Sequence, residues 1–156
     1  MTAPPVVSNS SPIIALSGIG QLELLKQLFT QVVVPPAVAR ETSISNQIDW
    51  ITVVPLAQPL ASGISGAGLG LGESEAISLA MEHGATWLLI DDKPARRLAA
   101  QLGLPILGTL GVLLACKRRG LLPNVRPSID AIIQFGFRVS PALRKRVLED
   151  AGEDSV

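Results

Sequence analysis

The chain has 156 residues, 47% of them hydrophobic and 17% charged, a balance that gives a buried core and excludes a disordered chain. Thirteen basic residues offset thirteen acidic ones, so net charge alone predicts no nucleic-acid binding. The distribution says more: residues 1–92 hold two basic and eight acidic residues, and residues 93–156 hold eleven basic and five acidic, leaving halves at −6 and +6.

In chain order, Val6-Val7-Ser8 reads as a first strand, short and partly β-branched. Ser10-Ser11-Pro12 then reads as a helix start, with Ser11 at the N-cap and Pro12 at the first helical position. Leu22, Leu25 and Leu28 recur at helical spacing and predict an amphipathic helix over residues 21–29. Val32-Val33-Val34 is a second strand, stopped by Pro35-Pro36, and Pro36 opens a helix carrying Val38 and Glu41. Residues 51–54 are a third strand. Residues 61–72 carry glycines at 63, 66, 68, 70 and 72 and read as a flexible loop. That loop is neither a dinucleotide fingerprint nor a P-loop, because it does not follow a strand directly and has no Gly-Lys-Ser/Thr ending.

Residues 73–81 predict a strong helix, and residues 88–90 an unbroken apolar strand of the kind covered on both faces. Residues 94–102 are helix and residues 105–107 a short strand. Residues 110–119 are helix, closed by Gly120. Residues 128–135 and 141–151 are further helices. This alternation predicts a single α/β domain over residues 1–156, with a central parallel sheet and helices on both faces.

The single cysteine, Cys116, lies in an apolar run and reads as a core residue, so no internal disulfide is expected and a reducing cytoplasm is the natural compartment. The first residues do not read as a signal peptide, and no apolar run approaches membrane-spanning length. One histidine and one cysteine cannot build a nitrogen/sulfur zinc site. His83, before Gly84, reads as a solvated helix end.

Asp91 and Asp92 end the run Trp87-Leu88-Leu89-Ile90 and precede a Pro-started helix, so they fall at the carboxyl end of a strand, where ligands gather in open α/β sheets. Asn9 ends the first strand, Glu41 lies on the helix after the second, and Glu73 opens the helix after the glycine loop. Each has an ordinary alternative: Asp92 as an N-cap, Glu73 complementing a helix dipole, Asn9 supporting a turn, Glu41 as a solvated helix residue. Asp91 alone offers no capping role. Two carboxylates about 5 Å apart repel by roughly 3 kcal/mol at an effective dielectric of 20. A cluster of such acids therefore calls for a cation. Oxygen ligands select a hard ion, Mg²⁺ or Mn²⁺, which orients phosphate and activates water for phosphodiester cleavage. Arg96 and Arg97 follow the acids and are candidates for phosphate contact, or simply a solvated helix face.

These residues together resemble PIN domains, the fold of VapC-like toxin ribonucleases. The likeness is carried by residues 6–16, by Gly72-Glu73-Ser74-Glu75-Ala76-Ile77 with the stretch 84–92, and by Gly108-Thr109-Leu110-Gly111-Val112-Leu113, over roughly residues 5–150. The resemblance implies a PIN-like three-layer α/β/α fold and a metal-dependent endoribonuclease, the toxin component of a type II toxin–antitoxin system. By position it carries metal-ligand roles onto Asn9, Glu41, Glu73 and Asp91, with Glu75 and Asp92 as near alternatives for the last two. Ser11 matches a hydroxyl residue that supports the site near the first acid. Asn9 departs from the family, whose first position is usually Asp: an amide brings an oxygen but no charge. A catalytically weakened domain that binds RNA or a partner is thus the alternative. The resemblance further implies an RNA substrate, a small antitoxin protein and homodimerisation. A phospho-acceptor receiver using Asp91-Asp92 is a more distant rival, without the late lysine strand end that it normally needs.

Overall fold

A computed structural model describes residues 4–44 and 48–153. Five strands, β1 Val6–Ser8, β2 Val32–Val34, β3 Ile51–Val53, β4 Trp87–Leu89 and β5 Ile106–Leu107, form one parallel sheet in the order β3-β2-β1-β4-β5. Nine helices accompany them among the described residues: α1 Ser10–Gly18, α2 Glu23–Phe29, α3 Pro36–Thr42, α4 Ser62–Ser65, α5 Leu71–His83, α6 Lys93–Gln101, α7 Thr109–Arg118, α8 Arg126–Phe135 and α9 Pro141–Asp150.

The strands are short and almost wholly apolar because both sheet faces are covered. Val7, Leu88 and Ile90 pack with Ile77 and Leu79 of α5 and Ala95 and Ala99 of α6. On the other face Val6, Val32, Val34 and Leu89 pack with residues of α1, α2, α3, α7, α8 and α9. Adjacent residues along β1 and β4 thus serve opposite layers, as the pleat requires. Fully burying one such Leu, Ile or Val side chain is worth about 1.5–3 kcal/mol. The three-layer α/β/α architecture expected from the alternating pattern is the one observed.

The strand order sets where a ligand can sit. The chain runs from β1 outward through β2 and β3 on one side, then returns to place β4 and β5 on the other. β1 and β4 are paired neighbours, Val6 opposite Trp87, Val7 opposite Leu88 and Ser8 opposite Leu89. Their carboxyl ends flank the topological switch point, the place where open parallel sheets leave a crevice.

Three local readings need correction. α1 starts at Ser10 with Asn9, in extended backbone (φ −78°, ψ 176°), at the N-cap position, not Ser11. Pro12 is accommodated one turn in, because the first-turn N–H groups have no intrahelical partner to lose. The glycine segment is not wholly loop. Ile64 is 4% exposed and anchors α4 against the core, and α5 begins at Leu71, two residues ahead of Glu73. Asp91 does have a capping role, from outside its own helix, as described below. The other element ends fall within two residues of expectation. His83 is the exposed last residue of α5 and is followed by Gly84 in the left-handed region (φ +56°). Cys116 is buried on α7; burial, partly opposed by Arg119, pushes its thiol up to about 11. Among the described residues, no helix is long and apolar enough to cross a membrane.

Candidate metal and substrate site

Asn9 and Asp91 lie at the switch point, each just beyond a paired strand. The Asn9 N–H donates to Leu89 O at 2.9 Å and so continues the β1–β4 ladder by one residue. This bond fixes the backbone of Asn9 and commits its side chain to the interior, where it is 3% exposed. Asn9 sits at the N-cap position yet makes no side-chain capping bond. Its Oδ1 is buried without a hydrogen-bond partner. An orphaned buried acceptor costs about 1–3 kcal/mol, so this oxygen is available for a donor or a cation.

Asp91 is held at both oxygens. The Thr109 N–H donates to Oδ1 at 2.8 Å, and the Thr109 hydroxyl donates to Oδ2 at 2.6 Å. Thr109 opens α7 and is fully buried. Asp91 therefore caps α7 from a neighbouring strand end, and its carboxylate is fixed in direction. Burial raises its pKa above the ordinary carboxylate value; the Thr109 bonds and nearby Arg96 pull the other way without winning. Arg96 Nη1 donates to Ile90 O at 2.9 Å, which ties α6 to the end of β4. A Cβ at Gly108 would lie 3.0 Å from Arg96 Nη1 and 3.1 Å from Asp91 Oδ1, so the absence of a side chain there lets both groups meet.

Glu41, exposed on α3, accepts from the Ser10 hydroxyl at the start of α1. Ser10 is the hydroxyl that reaches this acid. The Glu41 carboxylate lies over Gly72, where an added Cβ would fall 2.9 Å from both Cδ and Oε2 and closer still to Oε1. Glu73 is half-buried in the first turn of α5, and its Oε2 turns back over Gly70.

The two alternatives have structural work. Glu75 Oε1 accepts the Ala37 N–H at 2.9 Å, holding the start of α3, the helix that carries Glu41. Asp92 is the N-cap of α6 and accepts from the Ala95 N–H at 3.1 Å. Of the two arginines, Arg96 lies beside Asp91, while Arg97 is exposed.

The structure thus places Asn9 and Asp91 at neighbouring strand ends and brings Glu41 to α1 and Gly72. Among the described residues, no three His, Cys, Asp or Glu side chains stand close enough together to hold a metal. Thr109 and Ser10 were not singled out from sequence. Thr109 carried a usable signal, a hydroxyl directly after a strand on the acidic rim. Ser10 carried none, because choosing between adjacent serines requires knowing where α1 begins.

The fold is a three-layer α/β/α protein with Asn9 and Asp91 at the neighbouring strand ends of its switch point. A family model described as a PIN domain matches residues 5–153, and the chain belongs to that family. No curated protein matches the chain. Membership points to nuclease chemistry, which in PIN domains is generally dependent on a divalent metal. The oxygens present match such an ion in kind: Asn9 Oδ1 is buried and unpartnered, and Glu41, Glu73 and Asp91 carry hard carboxylate oxygens.

Proposed function

We propose that the chain is a Mg²⁺- or Mn²⁺-dependent endoribonuclease acting on RNA, with Asn9, Glu41, Glu73 and Asp91 as the residues that hold the metal. The observation that carries this reading is the unpartnered Asn9 Oδ1 at the switch point, next to a strand end whose carboxylate is clamped in direction. When bound, a hard divalent ion neutralises phosphate charge and lowers the pKa of water. The chain's own residues do the rest. Thr109 keeps Asp91 from rotating, Ser10 holds Glu41 toward α1, and Arg96 fixes the end of β4 through Ile90 O. No side-chain nucleophile is needed.

The family likeness supports a toxin component that pairs with a small antitoxin and works as a homodimer in the cytoplasm. A second reading, a catalytically weakened domain that binds RNA or a partner, is favoured by the neutral amide at position 9 and the spread of the acids. RNA cleavage with Mn²⁺, compared between the natural chain and Asp91→Ala, decides between them. The first reading expects metal-dependent cleavage that Asp91→Ala abolishes. Binding that weakens with salt, without cleavage, selects the second; cleavage that ignores metal or the substitution sinks the first.

A further inference from the structure

Beside Asp91 lies a cavity of about 400 Å³, between α6, β5 and the connection from α8 to α9. Its walls combine two chemistries. Lys93, Arg96 and Arg138 are cationic, while Phe137 and Leu143 are apolar. The ion pairs among the described residues are Lys117–Glu153 and Arg144–Asp130, so Lys93 and Arg138 have no carboxylate partner there. Both are exposed, and so is Leu143, at 44%, an apolar side chain at the cavity mouth beside them.

We propose that this cavity binds one nucleotide of a single-stranded RNA next to the cleavage position, a proposal that rests on the ribonuclease reading above. Lys93 and Arg138 contact backbone phosphate, and the base lies against Phe137 and Leu143. The volume suits a nucleotide-sized group. A base can reach such a wall only when unpaired, which selects single strands over duplex. Cations alone would serve an acidic peptide equally well; the aromatic and aliphatic wall beside them favours a base. Asp91 at the cavity edge then places the adjoining phosphodiester at the acidic rim.

The test is fluorescence anisotropy with a short labelled single-stranded RNA, in EDTA so that nothing is cut. Lys93→Ala and Arg138→Ala should each weaken binding, and each should lower the slope of log affinity against log salt by about 0.7. Leu143→Ala should weaken binding about fivefold with the slope unchanged. Lys26→Ala, an exposed cation on α2, is the control and should bind as the natural chain does. Wild-type affinity in all three cavity variants overturns the proposal. So does duplex RNA binding as tightly as the single strand, or an acidic peptide binding where RNA does not. A parallel cleavage assay separates the two readings. Metal-dependent cleavage whose KM is unmoved by the three substitutions removes the subsite and keeps the nuclease. Loss of binding in the variants, with no metal-dependent cleavage by the natural chain, keeps the subsite and removes the nuclease.

Discussion

Gly72→Ala separates the stability of this fold from its proposed chemistry. Gly72 is buried at the second position of α5 and its backbone is not in the left-handed region. Alanine should therefore gain about 0.5–1 kcal/mol from helix propensity and reduced unfolded-state freedom. Its Cβ would collide with the Glu41 carboxylate. That group is the far end of a flexible, exposed side chain, so relief comes by swinging it away. The swing breaks the bond from Ser10. A hydrogen bond to a charged group is worth about 1.5–3 kcal/mol, but solvent screening at exposed Glu41 reduces this to about 1 kcal/mol. Gain and loss nearly cancel, so urea unfolding should place the variant within about 1 kcal/mol of the natural chain. Mn²⁺ affinity by calorimetry should fall about tenfold, the scale seen when groups supporting a metal ligand are displaced. Unchanged Mn²⁺ affinity would refute the ligand role of Glu41. A stability loss of several kcal/mol would refute the claim that its carboxylate is free to move.

Three further outcomes are expected. Asn9→Asp puts a charge where an oxygen is buried without a partner, so the metal-free variant should lose about 3 kcal/mol or more; Mn²⁺ should then raise its Tm by more than it raises that of the natural chain, and an equal rise would mean that position 9 does not face the ion. The pKa of Asp91 is raised by burial from its usual 3.8, so the folded state binds more protons than the unfolded one as pH climbs above that value, and stability declines through the interval up to the raised pKa. Urea unfolding of Asp91→Asn across this range should show that decline removed; an identical pH profile would contradict it. Glu153 behaves oppositely: burial pushes its carboxyl up, but the Lys117 hydrogen bond and the N–H groups of Val125 and Arg126 outweigh this and leave it lowered. Its contribution is present above 4.5 and lost as pH falls through the folded value. Glu153→Gln should cost about 1–3 kcal/mol at neutral pH and nothing in strong acid, and a cost that persists in acid would show the role to be packing alone.

Much of the fold was readable because the local signals were strong. Val32-Val33-Val34 before Pro35-Pro36, and the apolar run before Asp91, are strands that few other structures would accommodate. The glycine segment was misjudged because composition reports freedom, while Ile64 supplies an anchor that only the assembled core can use. That Asn9 and Asp91 follow neighbouring strand ends was legible, since parallel strands send all their carboxyl ends one way. The detail was not. Thr109 lies eighteen residues beyond Asp91, and Glu75 reaches thirty-eight residues back to Ala37, so both roles depend on which strands become neighbours. Asp92 and Asp91 are adjacent and chemically alike, yet the chain direction at the end of β4 makes one an N-cap and aims the other at α7.

The proposed ligands come from four separate places: the residue after β1, α3, α5, and the second residue after β4. No contiguous fragment of the chain carries more than one of them in working position. β1 meets β4 only after α1 to α5 have been made, and such distant parallel pairing is among the slower steps of folding. The proposed ligand set therefore comes together only with the topology itself. Any ion or protein that binds only the finished site will also shift the folding balance toward it by mass action.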